Sequence, residues 1–320
     1  MCVKCQKLAS DLPQHADAPD AFQQLIDKGN QLQQLSPEAL RKAVANDPQE
    51  ESGGEDFLPY ELLLAGLLGL AFKNVGEEVL PQMYAELDAR GIRGLGKAIE
   101  EVTPEFSNVF THADTEAKVT SAIEGSIVAG SAMAGDAKLA GELFRAKAIL
   151  EDMVQASKYY TNTYFNRMVV PQLQSIVQEA LLTGQLDSTT YQAIREAMSN
   201  RLKSVPYWRV VANAAASRGY HYGAIRAGQA LGRRGYQILA VLDSRTSDIC
   251  LFMNGKQFWV ADAAIQVTRA AEAEGEDIKS VAPWLPIEDI QDLTNDELRQ
   301  RGFIIPPLHP NCRSTIKFID

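Results

Sequence analysis

The sequence predicts an α+β fold in which largely helical N-terminal and middle regions are followed by a small C-terminal α+β domain containing a β-hairpin. Three observations lead there. Residues 1–235 are rich in helix formers punctuated by turn residues, and they lack the period-2 runs of β-branched side chains that mark strands. Just after Gly235 the pattern changes to a compact apolar run of strand length, Tyr236 to Leu242. Asn254-Gly255, two residue types that tolerate positive φ, then separates two further short apolar segments.

Taken in order, Ser36 followed by Pro37 supplies an N-cap and a first-turn proline for a helix to about Val44. The acidic stretch Asp47 to Asp56 reads as a flexible connection. Apolar residues then recur at helical spacing over Leu58 to Phe72, Val75 to Leu87 and Arg93 to Val102, with breaks expected at Gly76 and Gly91. Further helical patterns cover Ala137 to Met153 and Phe165 to Leu182, the latter bent or restarted at Pro171. Asp187-Ser188-Thr189 offers another helix start, and Lys203 to Pro206 breaks the chain before a helix over about Tyr207 to Leu231.

In the last unit the hairpin is expected to join Cys250-Leu251-Phe252 to Gln257-Phe258-Trp259-Val260. Residues 261–275 are expected to be helical. Thr294-Asn295-Asp296-Glu297 is a capping-box pattern for a short helix ending near Gly302. Phe303-Ile304-Ile305, a proline-framed loop over 306–311 and a final strand over 314–319 close the chain. The organisation implied is an N-terminal helical or flexible segment (1–56), a helical region (57–155) and a C-terminal unit (156–320). That unit divides into basic helices (156–235) and a mixed part (236–320).

At 320 residues and 46% apolar content there is material for two or three cores. Four cysteines, Cys2, Cys5, Cys250 and Cys312, are too few for a disulfide scaffold in a chain this long, which reads as intracellular. Met1 to Gln14 is polar and broken by Pro13, so no secretory signal is expected. The most apolar stretch, Phe57 to Phe72, is shorter than the roughly 20 residues of a membrane helix and contains Pro59 and Glu61, so it reads as a core helix. Cys2 and Cys5 form a lone CxxC without strand-helix context, which fits a reducible chain end rather than a redox centre.

The net charge of −10 is unevenly spread. Residues 155–245 carry 11 Lys and Arg against 4 Asp and Glu, whereas 1–110 carry 9 against 18, 111–154 carry 4 against 7, and 246–320 carry 7 against 12. Arg195, Arg201, Lys203, Arg209, Arg218, Arg226, Arg233 and Arg234 are therefore the candidates for neutralising nucleic-acid phosphates, an interaction blind to sequence and sensitive to salt. They could equally form a solvated face or meet the acidic N-terminal half. No base-reading motif is present.

Two thiols and an imidazole fall in the last unit. His309 and Cys312 lie three residues apart on the proline-framed loop, and Cys250 precedes them at the end of an expected strand. Thiolate sulfur and imidazole nitrogen suit tetrahedral Zn²⁺, and a short loop can direct two of them to one point. Asp243 and Asp248 are the nearest candidates for a fourth ligand, and the sequence does not choose between them. Either Asp243 or Asp248 could instead orient His309 through its second ring nitrogen. Without metal, the cysteines would be small buried hydrophobes.

The segments LDSRTSDICLFMNGKQFWV at 242–260 and PPLHPNCRSTI at 306–316 resemble the signature of the phage Mu F-like head morphogenesis family. The match runs through Asp243, Arg245, Thr246, Cys250, Gly255, Pro306, Pro307, His309, Pro310, Asn311, Cys312 and Arg313. The resemblance covers about residues 160–320. In the family pattern the position of Cys250 is Cys or His, an interchange that a metal ligand tolerates. Two departures stand out: Ser314 replaces the last cysteine of the usual Cys-Arg-Cys ending, and 261–302 is a long insertion.

The resemblance implies a minor structural protein of a tailed-phage head, acting in head assembly or genome packaging near the portal, the major capsid protein and packaged DNA. It further implies a place in the virion, reached from the host cytoplasm during assembly, with one structural Zn²⁺ as the candidate cofactor. Two other readings follow from the residues. One is a metal-dependent hydrolase or nuclease with Asp243, Asp248 or Glu288 as base; no HExxH, phosphate-binding glycine loop or Ser-His-Asp pattern supports it. The other is an ejected virion protein contacting DNA or a membrane. Catalysis and membrane contact are not expected.

Overall fold

The structure, a computed structural model, describes residues 58–107, 115–135, 205–273 and 277–319, together with scattered helical positions between 150 and 192. The expected Ser36 to Val44 helix, the acidic connection, the cysteines near the start and most of the basic segment lie outside the described residues.

Among the described residues, three long helices make up the helical layer: α1 (Leu58–Ser107), α2 (Thr115–Met133) and α3 (Val205–Ala230). The two glycines expected to break the first stretch behave differently. Gly91 takes φ 67° and ψ −162°, a conformation closed to most L side chains, and kinks α1 there; Gly76 leaves the helix continuous. A lone glycine in a helix costs only about 1 kcal/mol relative to alanine, so it need not end one.

Leu64, Leu68 and Ala65 of α1 and Val119, Ile123 and Ile127 of α2 are buried against α3, whose described residues 211–225 are buried throughout. That burial is possible because α3 is built of small residues. The Ser126 hydroxyl donates to the Ala216 carbonyl (2.5 Å) and the Ser131 hydroxyl to the Gly223 carbonyl (3.2 Å), so hydroxyls of α2 reach the backbone of α3 directly. His221 sits in this packing, its Nδ1–H donating to the Ser217 carbonyl at 2.7 Å. No described helix is long and apolar enough to cross a membrane.

The C-terminal unit carries a three-stranded antiparallel sheet, order β2-β1-β3, made of β1 (Gly235–Leu239), β2 (Gln257–Trp259) and β3 (Thr315–Ile319). Tyr236 pairs with Phe258 on one side and Phe318 on the other, and Ile238 pairs with Ile316. Tyr236 and Ile238 are fully buried, each contributing on the order of 1.5–3 kcal/mol of apolar burial. The Tyr236 hydroxyl donates to the Ile304 carbonyl at 2.8 Å, which ties the incoming 303–305 segment to the sheet.

Cys250-Leu251-Phe252 is not a strand arm. It lies in a short helix, α4 (Asp248–Met253), because the Ser247 hydroxyl accepts from the Cys250 amide as an N-cap and Cys250 and Met253 then bury one helical face. Asn254 and Gly255 (φ 82°) do turn the chain into β2, which pairs with β1 across the α4 connection. Helix α5 (Val260–Glu272) follows, then α6 (Ile278–Val281), a 3-10 turn (Ile287–Asp289) and α7 (Asn295–Gln300).

The capping box at Thr294 is formed in full. The Thr294 hydroxyl caps the Glu297 amide and the Glu297 carboxylate accepts from the Thr294 amide at 2.8 Å. Gly302 (φ 68°) ends α7, with the Phe303 amide returning to the Leu298 carbonyl at 2.9 Å.

Candidate metal centre

Two loops converge on one point. The first runs from β1 into α4. In it the Thr246 hydroxyl donates to the Val241 carbonyl (2.6 Å) and accepts from the Asp243 amide (2.8 Å), while the Asp243 carboxylate accepts from the Arg245 amide (2.8 Å). This side-chain-closed turn delivers Ser247 and Cys250. The second loop starts at a cis Pro306–Pro307 bond and turns back through the Cys312 amide to the His309 carbonyl (3.2 Å), with Asn311 at φ 57°. Asparagine tolerates that left-handed conformation, and the turn places His309 and Cys312 on the same side.

The two loops are clasped by Arg313, whose guanidinium donates in a fork to both Asp243 carboxylate oxygens at 2.6 and 2.7 Å. These hydrogen bonds, with the Arg245 amide, hold the Asp243 carboxyl well below the usual carboxylate range. Asp243 is therefore committed to Arg313 and is not among the residues whose ligand atoms gather at the site, which corrects the expectation of a fourth ligand there. From beneath, Asn213 of α3 donates to the Cys312 carbonyl (3.3 Å) and to the buried Glu61 carboxylate of α1 (2.8 Å), linking the loop to the helical layer.

Cys250, His309 and Cys312 present Sγ, ring nitrogen and Sγ within 4.8 Å of one another, with both cysteines buried and free. The sulfurs are 3.8 Å apart. Two thiolates on one tetrahedral zinc, at Zn–S of about 2.3 Å, stand about 3.8 Å apart, so the spacing fits an ion and is far beyond a disulfide bond. The His309 ring settles its own orientation. Nδ1 lies 2.7 Å from the Pro310 carbonyl, which can only accept, so Nδ1 carries a proton. Nε2 then faces Cys250 Sγ at 3.0 Å and the Ser247 hydroxyl at 2.8 Å. A ring fixed at one nitrogen by a backbone carbonyl with the other turned to the cluster is the usual arrangement of a metal-binding histidine. Neither Asp248, exposed at the start of α4, nor Asp243 performs that orienting role.

Without metal, the cluster divides its protons unequally. The hydrogen bond from Cys312, helped by His309 and the Ser247 hydroxyl and opposed by burial, holds the Cys250 thiol well below its ordinary value. Burial, then the hydrogen bond and charge of Cys250, push Cys312 well above it. Burial pulls His309 down, but the hydrogen bond and charge of Cys250 outweigh it and raise the imidazole. The cluster thus favours negative charge on Cys250 over Cys312. An arriving divalent ion would displace whatever protons its ligand atoms carry. Ser314, buried, donates from its hydroxyl to Cys250 Sγ at 3.1 Å.

The candidate basic surface fares differently. Arg195, Arg201 and Lys203, and the side chain of Arg209, lie outside the described residues. Arg218 is buried, with its guanidinium 5.7 Å from the Trp284 ring centroid and donating to the Ala282 carbonyl at 3.4 Å, so it faces the protein interior rather than phosphate. Arg226 is half-buried and donates to the Thr268 hydroxyl of α5 at 2.7 Å. Arg233 and Arg234 stand at the turn after α3, with Arg234 exposed. Glu288 is exposed on the 3-10 turn. Nothing in the sequence points to Asn213, whose partners lie 152 and 99 residues away, whereas the Ser247 cap is a local signal, a serine accepting from the amide three residues on.

A small α+β unit whose paired loops gather two cysteines and a histidine on a three-stranded sheet defines a cysteine-histidine-centred domain joined to a helical layer. Residues 172–317 match the family model described as Phage Mu protein F like protein, the family whose signature the two ligand-bearing segments resemble. No curated protein and no solved structure gave a match.

Proposed function

We propose that the chain is a minor structural protein of a tailed-phage head, acting in head assembly or genome packaging beside the portal and major capsid protein, with one zinc ion as a structural clamp. The match of residues 172–317 to the Phage Mu F-like family carries the reading. The clamp is supported by three ligand atoms from two loops within 4.8 Å and by the 3.8 Å sulfur separation. Zinc is favoured over harder ions because thiolate and imidazole are the donors. When bound, the ion would supply a cross-link between the β1–α4 loop and the last loop before β3.

The centre is structural in this reading. The Asp243–Arg313 clasp ties its two loops together and occupies the Asp243 carboxylate, and Asp248, the carboxylate nearest Cys250 in sequence, is exposed. Packaged DNA is proposed as a further partner through the basic segment 155–245, with the exposed Arg234 among its described members.

Two measurements test this. Elemental mass spectrometry of purified wild type is expected to give about one zinc per chain, lost in His309→Ala and Cys312→Ala at equal folded concentration. Zinc-free folded wild type would remove the clamp. Co-expression with the portal and major capsid proteins of its own phage is expected to place the chain in assembled heads, and its exclusion from them would refute the head role.

A further inference from the structure

We propose that the Cys250–His309–Cys312 centre holds its ion through three protein ligands and keeps the fourth position for an exchangeable neutral donor, water in the isolated protein, beside the hydroxyls of Ser247 and Ser314. This rests on the metal reading above and adds the class of ligand that completes the site.

Three observations carry it. Among the described residues, no fourth His, Cys, Asp or Glu joins the group, and Asp243 is held by both its oxygens on Arg313. What does surround the cluster is hydroxyl: Ser314 Oγ lies 3.1 Å from Cys250 Sγ, and Ser247 Oγ lies 2.8 Å from His309 Nε2. Hydroxyls of serine are poor zinc ligands but good partners for a zinc-bound water. The Ser247 contact also cannot survive metal binding. Once the Nε2 lone pair is committed to the ion, the Ser247 hydroxyl loses that neighbour while keeping the Cys250 amide as its donor, and a bound water replaces the lost partner.

Charge favours the same answer. Two thiolates and a neutral imidazole balance the charge of a divalent ion, so a neutral fourth ligand leaves the buried centre uncharged, whereas a third thiolate would leave a net negative charge out of water. His309 and Ser247 are only partly buried, which brings the centre within reach of solvent, while Cys312 and Ser314 are buried.

The test uses the full chain, stripped of metal and loaded with Co²⁺, whose absorption reports its ligands. The expected wild-type spectrum shows sulfur-to-cobalt charge transfer of two thiolates and visible bands that shift saturably as free imidazole is added, with cobalt retained through gel filtration. Ser314→Cys is expected to raise the charge-transfer band about 1.5-fold, from two thiolates to three, and to abolish the imidazole response. Cobalt-bound wild type whose visible bands ignore imidazole, or whose charge-transfer intensity is already that of three thiolates, would overturn the inference and assign the fourth position to the protein, with Cys2 and Cys5 as the thiols to replace next. Folded wild type that takes up no cobalt would overturn the metal reading itself, a result distinct from the other two because no charge-transfer band forms.

Discussion

His221 makes the helical layer sensitive to mild acid. Its ring is fully buried between α3 and its neighbours, and burial, only partly opposed by the hydrogen bond to the Ser217 carbonyl, lowers its pKa from 6.5 to about 4. The folded state therefore holds His221 neutral where the unfolded chain would protonate it. Between pH 6.5 and 4 the unfolded state binds more protons, so stability rises with pH across this window and is lost as pH falls through it. The whole shift corresponds to about 3 kcal/mol, and the part lost between pH 7 and pH 5 is about 2 kcal/mol. Urea denaturation of metal-free protein at pH 7 and pH 5, wild type against His221→Gln, isolates the effect because every other titrating group is common to both. Wild type is expected to lose about 2 kcal/mol more than the variant over this interval. Equal losses would refute the buried neutral histidine.

Two further predictions follow from close contacts. A methyl at Gly130 would overlap the Tyr220 carbonyl oxygen, a backbone atom that cannot rotate away, so Gly130→Ala is expected to cost about 3 kcal/mol through separation of α2 from α3, read as a lowered urea midpoint. Arg313→Lys keeps the charge but loses the two-pronged grip on Asp243, and with it the register of the two ligand loops. Zinc affinity measured by chelator competition is expected to fall about tenfold, with little change in the far-ultraviolet circular dichroism.

What could be read from the sequence was what the chain decides locally or in a fixed spacing. The Thr294 capping box, the helix near Tyr207 to Leu231 and the final strand all depend on neighbours a few residues away, and each is found. Cys250, His309 and Cys312 were identifiable because soft donors at short loop spacing have few other uses, and the structure brings them together. The misreadings share one cause. Cys250-Leu251-Phe252 has strand-like composition, but the Ser247 cap turns it helical. Asp243 has the chemistry of a ligand, but an arginine 70 residues away claims it. Arg218 reads as surface charge until Trp284 and the Ala282 carbonyl are found on top of it. In each case a contact remote in sequence, or a cap one residue upstream, outweighs local preference. Glu61 and Asn213 were invisible for the same reason, because their link to the Cys312 loop joins three elements that no pattern relates.

The two sulfurs that meet at the centre are 62 residues apart in the chain, and everything from β2 through α7 hangs between them. In polymer terms the site is the knot of a noose. The entropy of closing such a ring grows only with the logarithm of its contour, about 0.6 kcal/mol for each doubling, so the length of the excursion is nearly free once its ends are tied. With an ion bound, residues added at the exposed turns within 261–302 would therefore add little to the cost of the tie itself. What holds the rest of that stretch in place is its own core, the inward face of α5 with Ile278, Ile290 and Leu298.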